Sequence, residues 1–197
     1  MNVRQNPFFQ VSTLPWQAPP FDQIQEADFL PALLAGIEEK RKEVQAIAQN
    51  PEAPTFANTF EALERSGQLL ERVNLVFGAM TSANTSDYLQ QVDEEIAPQL
   101  TALNDEIVLN SALFARLDAV YQQRETLALD PESLRLVEVT WQHYQLSGAS
   151  LEEEAKQRLK ALNQQAARLS TRFTNKLLAA TKAGGLVVQQ AEALAGL

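Results

Sequence analysis

The chain has 197 residues, of which 45% are hydrophobic and 21% are charged, which is typical of a globular domain and not of a disordered segment. Sixteen basic and 25 acidic residues give a formal net charge of -9, which disfavours nucleic acid and anionic membranes as partners. With no Cys and a single His, disulfides and thiolate chemistry are excluded, and a cytoplasmic location is predicted.

Helical periodicity follows a Pro-rich start. Residues 1–25 are predicted to form an extended arm that lies on the body of the protein. A first helix is predicted to begin at an N-cap, Asp28, and to stop at Asn50 and Pro51. Its inward face has helical spacing and consists of Phe29, Leu33, Ile37, Val44 and Ile47.

Two further helices are predicted in the middle of the chain. The second begins near Thr55 and has one coiled-coil-like stripe of Phe56, Phe60, Leu63, Gly67, Leu70, Asn74 and Phe77. The third begins at Ser86 and continues past Pro98, where we expect a kink because proline removes a backbone donor. Its inward face consists of Leu89, Val92, Ile96, Leu103 and Ile107.

Three helices are predicted in the last part. The fourth follows Asn110, and its inward face is Leu113, Leu117 and Val120. The fifth is capped by Asp130, with Pro131 at its first position, and its inward face is Leu134, Val137, Trp141 and Tyr144. The sixth is predicted over residues 151–183, with Ser150 and Glu153 as a capping box and ion pairs Glu152–Lys156 and Glu154–Arg158. Its inward stripe is Ala155, Leu159, Leu162, Ala166, Leu169, Phe173 and Leu177.

The pattern predicts an all-α fold of about six antiparallel helices in an up-and-down bundle over residues 26–183. Residues 184–197 are predicted to form a short strand at 186–188 and the beginning of a helix. A strand without a partner strand indicates that the chain is one part of something larger. We therefore expect residues 184–197 to cause weak self-association of the chain on its own.

No catalytic, cofactor-binding or metal-binding residue is predicted in this chain. His143 has no evident partner and is expected to be a surface or half-buried side chain. The acidic runs 93–95 and 152–154 occupy adjacent helical positions, which point in different directions and cannot converge on one ion. Gly184 and Gly185 follow a helix and lack the Lys-Ser/Thr of a phosphate loop, so they are interpreted as a helix stop.

Several short motifs resemble the opening region of bacterial peptidyl-dipeptidases (dipeptidyl carboxypeptidases), which are thimet-oligopeptidase-like zinc metallopeptidases. The similarity extends over essentially the whole chain, and the last motif resembles the peptidyl-dipeptidase branch more than the oligopeptidase-A-like branch. The motifs are Asn6-Pro7-Phe8, residues 12–15, residues 20–24, residues 29–36, residues 58–64, residues 134–139, residues 146–149 and residues 177–188.

The resemblance implies a parent enzyme that releases dipeptides from the C-termini of short peptides, with helices such as these forming a wall of a deep channel. The zinc motif of that family, His-Glu-x-x-His with a downstream Glu, is absent from this chain. The resemblance therefore implies that zinc and the catalytic residues belong to a catalytic region of the same polypeptide, beyond Leu197. The alternative hypothesis is a free-standing helical interaction or regulatory module.

We predict that the chain alone neither binds zinc stoichiometrically nor hydrolyses peptides. A protein zinc site normally takes three or four ligands in which His or Cys predominate, and this chain offers one imidazole and no thiol. Metal analysis of protein purified without chelator, together with a peptidase assay, checks the prediction. One zinc per chain, or cleavage that survives removal of contaminating peptidases, contradicts it.

Overall fold

The computed structural model describes residues 4–184, and these residues confirm the predicted all-α class. Six of the helices have 12 residues or more. The predicted strand at 186–188 and the helix after it lie outside the described residues. In chain order the helices are α1 (Phe29–Ala48), α2 (Ala62–Glu64), α3 (Gln68–Ala83), α4 (Asp87–Val108), α5 (Ser111–Gln122), α6 (Pro131–Leu146) and α7 (Glu153–Ala183).

Helix α1 lies at the centre of the bundle and packs on α3, α4 and α5. All five residues predicted for its inward face are buried. The N-terminal arm contributes to the same core, because Phe8 is buried against Phe29, and Phe29 contacts Phe77 of α3, with ring centroids 5.3 and 5.4 Å apart. The arm contains two 3₁₀ turns, Pro7–Phe9 and Pro15–Gln17.

The contact between α1 and α3 depends on one glycine. A Cβ atom on Gly36 would lie 2.8 Å from the Cα of Leu70 and 2.9 Å from its backbone nitrogen. Real Cβ atoms do not approach backbone this closely, so a larger residue here would push the two helices apart. Gly36 therefore sets the distance between α1 and α3.

Asp28 does not cap α1, so this prediction is wrong. Its backbone is already helical and its side chain makes no capping hydrogen bond to α1. Instead the carboxylate accepts from the backbone N–H of Gln25 at 2.7 Å and pairs with the guanidinium of Arg4. This ion pair fastens the N-terminal arm to the body, and it lowers the pKa of Asp28.

The predicted continuous second helix is also wrong. The chain forms a π-helical turn, Phe56–Glu61, and the short α2, and then breaks at Gly67, whose φ is +78°. Helix α3 begins after this break, and its buried positions are Leu69, Leu70, Val73, Val76 and Phe77. Asn74, which the predicted stripe placed inward, is exposed. A left-handed glycine changes the helix direction, so one stripe cannot extend across it.

Three predicted helix starts are confirmed, and at each of them a side chain caps the helix. Ser86 accepts from Leu89 N–H at 3.2 Å, and Asn110 accepts from Leu113 N–H at 3.0 Å. Asp130 accepts at 3.0 Å from two backbone N–H groups of α6. Helix α4 continues unbroken through Pro98, and its five predicted core residues are buried. Of the predicted face of α6, Val137 and Tyr144 are buried, whereas Leu134 and Trp141 are half-buried.

The predicted capping box of the last helix is wrong. Helix α7 begins at Glu153, its N-cap position is Glu152, and no side chain caps it. The chain reaches α7 through a turn in which Gly148 has a φ of +97°, so Ser150 lies in this turn, before the cap position. Within residues 4–184, no helix is both long enough and apolar enough to span a lipid bilayer.

Gly36→Ala is expected to lower the free energy of unfolding by about 2 kcal/mol, because the new methyl group collides with backbone that cannot rotate away. Gly78→Ala in α3 is the matched control, since a Cβ there meets no atom within 4 Å. This control should be stabilising by up to about 1 kcal/mol through helix propensity. Urea unfolding of both variants checks the pair, and equal effects at the two sites would contradict the close approach.

Candidate functional site

The polar residues singled out in the sequence do not form a reaction centre in the described part of the chain. His143 is exposed and lies edge-on to the Tyr144 ring, with centroids 5.9 Å apart. Among residues 4–184 no group of three or more His, Asp or Glu side chains is placed to hold a metal ion. With one imidazole and no thiol, the residues present do not fit the zinc site of the peptidyl-dipeptidase family, which the sequence resembles.

A groove of about 770 Å³ lies between α3 and α6, above α4. Apolar side chains such as Leu70, Leu100 and Leu136 line it, and charged side chains such as Glu64 and Glu71 contribute polar lining. Tyr144 lies at this groove, and its pKa is raised, first by burial and then by the charge of Glu64. The groove therefore combines an apolar surface with charged and neutral polar groups.

Three polar side chains of α7 form hydrogen bonds to the rest of the bundle. The amide Nδ2 of Asn163 donates to Asp105 Oδ1 at 2.8 Å, and that of Asn175 donates to Glu94 Oε1 at 2.8 Å. At the start of α7, Lys156 is buried and its Nζ donates to Ser111 Oγ at 2.6 Å. These bonds, together with small residues between them, form the polar seam between α7 and the α4–α5 region.

The ion pairs predicted within α7 do not form among the described residues. Lys156 turns toward Ser111 instead of toward Glu152. Its bond to a residue of another helix fixes the start of α7 on the bundle, which a pair within the helix would not do. The prediction failed because it considered only neighbours along the helix.

Asp105 is the least satisfied group of the polar seam. Its side chain is 2% exposed, and its Oδ2 atom has no hydrogen-bond partner among the described residues. Burial raises the pKa of Asp105, although the hydrogen bond from Asn163 and the charge of Lys160 act in the opposite direction. A carboxylate buried this way disfavours its own ionised form.

The predicted inward stripe of the last helix is wrong over most of its length. Leu162, Leu169, Phe173 and Leu177 are 55–69% exposed, and only Ala155 and Leu159 are half-buried. Helix α7 instead turns Asn163 and Asn175 toward acceptors on α4. The periodicity identified residues that share one face, but this face points away from the bundle. We call these four exposed residues the outer stripe.

Basic residues accompany the outer stripe. After Glu154, helix α7 contains seven basic residues and no acidic residue, whereas residues 1–154 contain nine basic and 24 acidic residues and carry a net charge of -15. Five of the seven are exposed and form no ion pair with another described residue. These five are Arg158, Arg168, Arg172, Lys176 and Lys182. Helix α7 is thus a basic amphipathic helix on an acidic body.

Sequence reasoning missed the polar seam, although a signal was present. Asn163, Thr171 and Asn175 recur at helical spacing on the side opposite the outer stripe. A second missed feature is Arg116 of α5, which is buried and donates to the backbone carbonyls of Asn50 and Glu52 at 2.8 and 2.9 Å. No periodic pattern marks this arginine, because its acceptors lie in a distant loop.

The chain is similar to peptidases over nearly its whole length. It is 55% identical over 192 residues to the dipeptidyl carboxypeptidase of Salmonella typhimurium LT2 and 53% identical to that of Escherichia coli K12. These alignments cover 98% of this chain and 28% of each relative. Oligopeptidase A of Haemophilus influenzae is 23% identical over the same length. No protein-family model matches the chain.

The predicted resemblance to the peptidyl-dipeptidases is confirmed by these alignments. The predicted branch is confirmed as well, because identity to the dipeptidyl carboxypeptidases is more than twice that to the oligopeptidases A. The chain spans only about a quarter of the length of the curated relatives that it matches. This share fits an N-terminal region of such a protein.

Asp105→Asn is expected to raise the free energy of unfolding at neutral pH by roughly 1 kcal/mol, because the buried position no longer holds a charge. The pKa of Asp105 is raised in the folded chain, so stability is lost as the pH rises from the ordinary Asp pKa to the raised value of the folded state. Below the ordinary Asp pKa of 3.8 the carboxyl is protonated in both states, and the gain should disappear. Urea unfolding at neutral and acid pH checks this.

Glu95→Gln is the control for this experiment, since Glu95 is an exposed side chain on the same helix. It removes one negative charge without changing a buried group. The control should therefore show a much smaller difference between the two pH values. A loss of stability at neutral pH in Asp105→Asn would show that the ionised carboxylate is favourable at this site.

Proposed function

We propose that this chain is the N-terminal helical region of a zinc metallopeptidase that releases dipeptides from the C-termini of oligopeptides. Its role in that enzyme is to form part of the wall of the substrate channel. The 55% identity to a dipeptidyl carboxypeptidase over 98% of the chain is the observation that carries the proposal. A cytoplasmic location and short peptide substrates belong to the same proposal.

The shape of the surface over α4 supports a wall role. The groove between α3 and α6 and a second groove between α4 and α7 share two lining residues, Leu100 and Asn104. The two grooves therefore border each other along α4. Its lining mixes apolar side chains with amides and carboxylates, which suits contact with an extended peptide that presents both backbone amides and side chains.

The residues of this chain indicate which parts of the proposed enzyme would have which role. Zinc would activate a water molecule in the catalytic region, to which the described part of this chain contributes no fitting ligand set. Residues 26–183 would form the rigid wall, and residues 1–25 an arm fixed to it. The ion pair between Arg4 and Asp28 and the buried Phe8 support a fixed arm.

A hybrid enzyme tests the proposed function. In this hybrid the chain replaces the 192 matched residues of the Escherichia coli dipeptidyl carboxypeptidase, and the substrate is a short peptide with a free C-terminus. We expect release of C-terminal dipeptides that is lost on chelation and restored by zinc. The Escherichia coli remainder without the chain should be inactive. A folded hybrid without activity would contradict the proposal and favour a free-standing interaction module.

A further inference from the structure

We infer that the outer stripe of α7 and its basic residues dock on an acidic surface with an apolar ridge, supplied by another part of the same polypeptide. The inference rests on the proposed function, because it takes its occupant from the longer protein. What it adds is the chemistry of that occupant and the face of this chain that receives it. Two independent observations carry it, one of shape and one of charge.

The shape of α7 suits a helix that packs against two neighbours, one on each side. Helix α7 has 31 residues, which corresponds to a rod roughly 45 Å long. The polar seam occupies one side, and the outer stripe occupies the other, with Leu162, Leu169, Phe173 and Leu177 at spacings of seven, four and four. Residues at these spacings lie on one face and fit between the side chains of a partner helix. Single exposed apolar side chains are common on protein surfaces, but four large ones in a row on one helix face are not.

The charge specifies the partner more closely. Arg158 and Lys176 lie at helical positions next to the outer stripe, and Arg168 and Arg172 continue the basic row around the helix. A surface that covers the stripe must also meet these cations, and acidic side chains would complement them. The relatives are more than three times as long as this chain, so a longer polypeptide has ample sequence for such a surface.

Two other occupants fit less well. A second copy of α7 packed antiparallel on the first about a two-fold axis would bring the two basic rows together, and like charges in a contact are unfavourable. An anionic membrane would attract α7, but residues 1–154 with their net charge of -15 would oppose the approach of the whole chain. An acidic protein surface satisfies both the stripe and the basic row.

Thiol labelling measures whether the outer stripe is covered. Because the chain contains no Cys, Phe173→Cys introduces a single reactive group in the outer stripe, and Leu146→Cys on α6 is the exposed control. In the chain alone both thiols should react at similar rates. In the hybrid with the Escherichia coli remainder, labelling at position 173 should slow at least about tenfold, whereas labelling at position 146 should stay unchanged.

Charge reversal tests the acidic partner. In the hybrid, Phe173→Cys combined with Arg172→Glu should restore at least about half of the lost labelling rate, and the control Arg135→Glu on α6 should restore none.

Rapid labelling at position 173 in an active hybrid would overturn the inference and leave the proposed function standing. Protection that Arg172→Glu does not change would overturn the acidic partner. Binding of the chain alone to phosphatidylserine vesicles, lost in Phe173→Asp, would favour a membrane and also overturn the inference.

Discussion

The close approach of α1 and α3 at Gly36 is the constraint on which the rest of the bundle depends. Because no side chain separates the two backbones there, Phe29 reaches both Phe77 on α3 and Phe8 on the arm. Helices α4 and α5 then pack on the remaining faces of α1. One central helix thus organises a core in which the N-terminal arm is an integral part. A wider α1–α3 distance would open the core at several contacts at once.

The two faces of α7 satisfy opposite requirements. Toward the bundle the helix presents two amides, which donate to carboxylates of α4, and a lysine, which donates to a hydroxyl of α5. Away from the bundle it presents the outer stripe. A helix on the edge of an isolated globular domain normally has the reverse arrangement, with its apolar face inward. The inversion is consistent with the fact that this chain covers only a small part of the length of its relatives. A helix that lies between two domains needs a binding surface on each side.

Local chemistry made part of this structure predictable. The helix starts at Ser86, Asn110 and Asp130 were predictable, because a start of this kind depends on one capping side chain and the next three backbone N–H groups. The face of α1 was predictable because α1 is surrounded by neighbours. The outer stripe was not, because periodicity tells which residues of a helix share a face and not which face meets the core. The predictions at Gly67 and Asp28 were wrong for other reasons. The helical pattern does not reveal that Gly67 adopts a left-handed backbone, and the arginine partner of Asp28 lies 24 residues away in the sequence.

The polar seam also determines how the molecule opens. Hydrogen bonds between protein groups can be exchanged for hydrogen bonds to water, so a contact held by such bonds is expected to open at a lower free-energy cost than the apolar core around α1. We therefore expect α7 to be the first element to open when the isolated chain is destabilised, while α1, α3 and α5 remain folded. Its amide protons should exchange with solvent through this partial opening, whereas those of α1 exchange only when the whole bundle unfolds. The residue chemistry of one contact thus gives a single chain two levels of stability.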